Sequence, residues 1–133
     1  MKIEHVAFQV AEPAAAARWY AETLGFTIKR AESASPFGQF LADDSGTVML
    51  EFYRNPRLPV PDYAAMDPVL LHVALVADDV RATRERLIAA GARPEGDVTV
   101  NAGGDELAML RDPWGLPIQL VRRREPMIAS AQV

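Results

Sequence analysis

Four polar side chains stand in apolar, strand-like stretches of this chain, and their types suit a divalent cation. His5 lies in IEHVAFQV, Glu51 in VMLEFY, His72 in LLHVALV and Gln119 in LPIQLV. His5 to Glu51 spans 46 positions, and His72 to Gln119 spans 47. Two imidazoles, a carboxylate and an amide oxygen are all donors for hard or borderline divalent ions. The two histidines and the carboxylate also form the two-His-one-carboxylate group that leaves coordination positions open to substrate. A carboxylate buried without a partner is costly, and a metal ion removes that cost. Each residue alone has a plainer reading: a strand histidine is ordinarily a hydrogen-bonded core or surface residue, and a strand glutamate is ordinarily solvated. Their joint placement favours metal.

The elements that must position these residues occur twice. IEHVAFQVAE, from Ile3 to Glu12, and LLHVALVADD, from Leu70 to Asp79, share His-Val-Ala and run into an acidic residue. A helix follows each. In PAAAARWYAETLG, Pro13 fits the first turn and Gly25 the residue past the end. In DVRATRERLIAAG, Asp78 or Asp79 can cap, Gly91 ends the helix, and Val80, Thr83, Leu87 and Ile88 form one stripe. Three strand-like runs follow each helix: about 26–30, 37–42 and 47–54 in the first half, and 94–100, 106–111 and 116–123 in the second. DDSG and DPWG mark turns between the last two runs of each half.

The chain therefore reads as α+β, with two βαβββ modules at residues 1–54 and 69–124. Between them lies NPRLPVPDYAAMDP, residues 55–68, whose four prolines predict an extended linker. Residues 125–133 form a tail without periodicity. Side-chain alternation puts Val6, Phe8 and Val10 on the packed face of the first strand, with His5, Ala7 and Gln9 opposite. It puts Val48, Leu50 and Phe52 on the packed face of the fourth, with Met49, Glu51 and Tyr53 opposite. A pseudo-twofold relation between the copies would bring His5, Glu51, His72 and Gln119 into one ring. Phe37, Phe40, Met49, Tyr53 and Met109 are expected to line the pocket beside it. Arg54, Arg57 and Arg111 are candidate anchors for a substrate carboxylate or phosphate, and Trp114 in the DPWG turn is a candidate cover.

Composition sets the limits. The chain has 133 residues, half of them hydrophobic, as expected of one ordinary globular domain. It has no cysteine, which excludes disulfides, zinc–thiolate sites and a cysteine nucleophile. A net charge of −4 argues against nucleic-acid binding, and Arg122-Arg123-Arg124 reads as the solvated end of a strand. MKIEHVAFQV does not read as a signal peptide, and no run approaches the ~20 apolar residues of a membrane span. A cytoplasmic protein that does not bind membranes is expected.

The stretches HVAFQV…WYAETLGF, VMLEFYRNP, LLHVALVADD and DPWGLPIQLV together resemble the vicinal oxygen chelate superfamily, the glyoxalase, bleomycin-resistance and extradiol-dioxygenase group. The resemblance implies curved mixed sheets around a metal-binding cleft, in a homodimer, with one divalent ion such as Ni, Zn, Fe, Mn or Co. Carried over by position, the ligands are His5, Glu51, His72 and Gln119. The pattern is most similar to bacterial glyoxalase I, which has His, Glu, His and Glu; Gln119 departs from it. With the halves exchanged, the set resembles that of methylmalonyl-CoA epimerase. The implied activity is that of a metal-dependent lyase or isomerase acting on a small substrate with adjacent oxygens through an enediolate-like anion. Glu51, the one carboxylate of the set, is the candidate base as well as a ligand. Alternatives are an Fe(II) extradiol-type dioxygenase and a non-catalytic antibiotic-binding protein.

Overall fold

The computed structural model describes residues 1–128; the last five residues of the expected tail lie outside them. The described chain divides into two compact units, one ending at Asp62 and one starting at Tyr63. Each is a βαβββ module carrying a four-stranded mixed sheet.

The first unit runs β1 (His5–Gln9), α1 (Pro13–Leu24), β2 (Thr27–Ala31), β3 (Gln39–Ala42) and β4 (Met49–Tyr53). Its strand order is β1-β4-β3-β2, with β1 parallel to β4 and the other pairs antiparallel. Pro13 occupies the start of α1, where its missing N–H removes no helical bond, and Gly25 closes the helix in the left-handed conformation at φ 74°. The buried face of α1 is Pro13, Ala16, Ala17 and Tyr20. Two alanines in succession let the helix lie close to the sheet, so that the Tyr20 ring packs tilted at 4.9 Å from that of Phe52 and edge-to-face at 5.9 Å from that of Phe26. Each such buried ring contributes about 1.5–3 kcal/mol. Burial along β4 alternates as expected: Leu50 and Phe52 are buried, and Met49, Glu51 and Tyr53 are half-buried.

The second unit runs β5 (Val73–Val76), α2 (Val80–Ala89), β6 (Arg93–Val100), β7 (Glu106–Arg111) and β8 (Pro117–Arg122), in the order β5-β8-β7-β6. Asp79 is the cap of α2; its side chain accepts a hydrogen bond from the Ala82 N–H at 2.9 Å. Val80 and Leu87 seat that helix over a sheet core of Ala108, Leu110, Ile118 and Leu120.

Two expectations are corrected. Val6, on the packed side of β1, is 45% exposed, because burial on that strand begins only at Phe8. The proline-rich segment is not extended throughout: Tyr63–Ala65 forms a turn of 3₁₀ helix, in the stretch between Pro61 and Pro68 where no proline interrupts it. Among the described residues no helix is long and apolar enough to cross a membrane.

Candidate functional site

In the first unit, β1 and β4 lie side by side with His5 opposite Met49 and Ala7 opposite Glu51. The same row continues from Glu51 to Phe40 on β3 and on to Arg30 on β2. His5, Ala7, Glu51, Phe40 and Arg30 therefore share one face of the sheet. Across that face the Nε2 of His5 stands 3.4 Å from Oε2 of Glu51. The Phe40 ring stands nearly perpendicular to the imidazole at 5.5 Å between centroids, and the Arg30 guanidinium lies 5.6 Å over the Phe40 ring.

The second unit repeats this register. Ala74 is opposite Gln119, and Gln119 is opposite Met109. His72 stands just before β5, two residues ahead of Ala74, as His5 stands two residues ahead of Ala7. Met109 thus takes the place that Phe40 holds in the first copy. His72 is exposed and Gln119 half-buried. Among the described residues, neither unit by itself gathers three or more His, Asp or Glu side chains into a group that could hold a metal.

Both imidazoles are engaged at Nδ1. The Nδ1 of His5 contacts the carboxylate of Glu4, and the Nδ1 of His72 lies 2.9 Å from the carbonyl oxygen of Pro68. A carbonyl, like an ionised carboxylate, only accepts, so each Nδ1 must donate. In the neutral ring this leaves the lone pair on Nε2. For His5 that lone pair faces the Glu51 carboxylate, an arrangement of two acceptors that calls for positive charge between them. A proton is one answer: the Glu4 contact, reinforced by the charges of Glu4 and Glu51, holds the His5 pKa above the ordinary histidine value against a smaller opposing effect of burial. A metal cation is the other.

Sequence reasoning missed two carboxylates here. Glu4 is the first. The second is Glu32, just past β2: a Cβ at Gly38 would lie 3.0 Å from Oε2 of Glu32 and 3.3 Å from Oε1 of Glu51, so both carboxylates border the space that Gly38 leaves. No strand pattern signals this, because Gly38 and Glu32 meet only when their loop closes, through the Glu32 N–H donating to the Gly38 carbonyl at 2.9 Å.

The remaining expected pocket residues are dispersed. Met49 and Tyr53 are half-buried on the Glu51 face of β4. Phe37 is exposed and lines an open cleft of about 390 Å³ with Pro13, Arg18, Glu32 and Gln39. Trp114 is half-buried, its backbone N–H donating to Oδ1 of Asp112 at 2.9 Å. Arg54 donates to the Ala11 carbonyl at 3.2 Å. Arg57 is exposed in the linker.

Arg111 corrects the expectation of a substrate anchor. It is buried, pairs with Glu95 through Nε, and donates to the carbonyls of Tyr63 (2.7 Å), Gly115 (3.3 Å) and Met66 (2.7 Å). A guanidinium so occupied holds the 63–66 segment in place and has little left for a ligand.

Comparison with known proteins agrees with this architecture. The model of the Glyoxalase/Bleomycin resistance protein/Dioxygenase superfamily matches residues 2–120. Among solved structures, SMU.1112c is 28% identical, with 92% of this chain and 98% of that one covered at a TM-score of 0.71. TnmS3, an antibiotic binding protein from Streptomyces sp. CB03234, is 23% identical over 92% and 96% of the two chains, at 0.69. An E144Q mutant of glyoxalase I from Zea mays is 21% identical over 93% of this chain and 46% of that longer one, at 0.73. No curated protein matches.

Proposed function

Because this chain belongs to the Glyoxalase/Bleomycin resistance protein/Dioxygenase superfamily, we propose that it is a divalent-metal-dependent lyase or isomerase of the glyoxalase kind. Its substrate is a small molecule carrying oxygens on adjacent carbons. The proposed ligands are His5 and Glu51 from the first unit and His72 and Gln119 from the second.

One observation carries most of this reading. The lone-pair nitrogen of His5 and a carboxylate oxygen of Glu51 are 3.4 Å apart. Two donors each about 2.1 Å from one ion stand about 3.0–3.4 Å apart at octahedral or tetrahedral angles. The donor set fits a borderline divalent ion as well, since imidazole, carboxylate and amide oxygen together suit such ions.

A bound ion would supply the Lewis acid that stabilises negative charge on adjacent substrate oxygens. The chain's own residues do the rest. Glu51 takes the proton from the hydroxyl-bearing carbon beside the carbonyl, and the C–H pair becomes the new C=C bond as the carbonyl π pair moves onto its oxygen. The carboxyl then returns the proton to the former carbonyl carbon while the hydroxyl proton passes to the neighbouring oxygen. Phe40, against His5, shields one side of this face from water. Gln119 accepts no proton, so it serves only as a ligand. A homodimer in the cytoplasm belongs to the same proposal.

A second reading is sequestration without turnover. It is favoured by the likeness to TnmS3, described as antibiotic-binding, and by the amide at Gln119, which removes one proton-handling group.

Metal analysis of protein purified without chelator separates the two. The enzyme reading expects a stoichiometric divalent ion, and Glu51→Gln should hold the ion more weakly and lose turnover of hydroxycarbonyl substrates while unfolding normally. Equal turnover by metal-free protein would sink it. A metal-free protein that binds small aromatic compounds without changing them would establish the second reading.

A further inference from the structure

We propose that Glu4 is the positioning residue of His5: it fixes the imidazole with hydrogen on Nδ1, so that Nε2 is presented as a bare donor beside Glu51. The inference rests on the metal-site reading above and goes beyond it by assigning a residue outside the ligand set.

Successive side chains of a strand point to opposite faces, so Glu4 and His5 would ordinarily diverge. Glu4 lies just ahead of β1, where the strand geometry has not begun, although its carbonyl already accepts from the Met49 N–H at 2.9 Å. The backbone is therefore tied to β4 while the side chain is free to turn back onto His5 Nδ1. The second copy reaches the same result by another route. His72 Nδ1 meets the Pro68 carbonyl, four residues earlier, at 2.9 Å. Leu71 stands where Glu4 stands in the first copy and has no acceptor to offer. Two unrelated partners thus impose one tautomer on both histidines. Outer partners of this kind orient a ligating imidazole and raise its basicity, and their loss ordinarily costs 10–100-fold in metal affinity.

The test uses the intact chain, with Co²⁺ alone as the probe. Its affinity is measured by chelator competition for wild type, Glu4→Ala, Glu4→Gln and Glu4→Asp. In parallel, ¹⁵N-resolved imidazole spectra of the metal-free proteins are recorded at alkaline pH. Glu4→Ala is expected to bind Co²⁺ about 10–100-fold more weakly. Its His5 should relax to the tautomer mixture of an unconstrained ring. Glu4→Gln keeps an accepting oxygen and Glu4→Asp keeps the charge, so both should recover part of the loss. His72 is the internal control, with its Nδ1–H tautomer unchanged in every variant, and it reports intact folding. An unchanged His5 tautomer in Glu4→Ala overturns the proposal. So does a changed tautomer with unchanged affinity. If wild type binds no Co²⁺, the metal reading fails and this proposal fails with it in its functional part, while the His5 spectrum still shows whether Glu4 holds the ring.

Discussion

In the first unit the Asp-x-x-Gly turn before β4 ends at Gly46, where an added Cβ would meet nothing within 4 Å. In the second unit the matching turn ends at Gly115, where a Cβ would stand 2.9 Å from the backbone nitrogen of Ala64. One turn is free, and the other is a seat for the segment that enters its module. The contrast extends to the clamps. The first unit holds the linker with Gln9, whose amide donates to Leu58 O (2.8 Å), Asn55 O (3.0 Å) and Pro59 O (3.2 Å) and accepts from the Asn55 N–H (2.8 Å). The second holds it with Arg111, which occupies the register place of Ala42 in the first copy. The residue matching Gln9 is Val76, which is 83% exposed. Two copies of one module thus keep the same frame and hydrogen-bond the connecting chain from different strands.

The largest effect should come from breaking the charged clamp. Arg111→Ala would take a donor from the carbonyls of Tyr63, Met66 and Gly115 and leave the Glu95 carboxylate to water. Stability should fall on the order of 3 kcal/mol, read from denaturant unfolding, because a buried carbonyl left without its donor costs about 1–3 kcal/mol. Gln9→Ala removes the neutral clamp and should cost about 1–2 kcal/mol by the same measurement. Equal losses would show that the two clamps are interchangeable and would erase the contrast.

Restoring symmetry at the other pole sharpens the comparison. Gln119→Glu gives the second copy the carboxylate of the first, and Co²⁺ or Zn²⁺ affinity by chelator competition should rise about tenfold, roughly 1.4 kcal/mol. No change would remove Gln119 from the ligand set.

The smallest effect concerns pH. The folded-state pKa of His5 is raised, so protonated His5 is favoured in the fold. Its contribution to the stability of the metal-free protein is fully present below the ordinary histidine pKa and is lost as pH rises through the raised one. Metal binding runs the other way, since the proton must leave Nε2, and affinity should fall as pH drops through the same range. NMR titration of His5 should give a midpoint above the ordinary value that Glu4→Gln brings down. A midpoint at or below the ordinary value contradicts the pairing.

The α+β architecture was legible because each module is marked by local signals that agree: His-Val-Ala, a helix closed by Gly25 or ending at Gly91, and Asp-x-x-Gly. These depend on neighbours in sequence, so a single chain displays them. The register positions of His5, Glu51, His72 and Gln119 could be counted for the same reason. What could not be counted depends on contacts between distant residues. Arg111 looked like a surface anchor because nothing in its strand shows that Tyr63 and Met66 fold back onto it. Glu32 drew no notice because the space it shares with Glu51 is left by the absence of a side chain at Gly38. Val6 fits the alternation of a packed strand, and alternation alone does not tell where along β1 the packing starts.

The spacing of the proposed ligands carries a consequence for how this chain can vary. The first copy separates its pair by 46 positions and the second by 47, yet Ala7–Glu51 and Ala74–Gln119 face each other in the same register. The additional residue was therefore taken up outside the paired stretches. A loop insertion in a relative should leave the donors where they are. One residue gained or lost within β4 would instead turn Leu50 or Phe52 to the Glu51 face and bury the carboxylate. Substitutions at the proposed donors should grade cation affinity, while changes of length within the strand should abolish it.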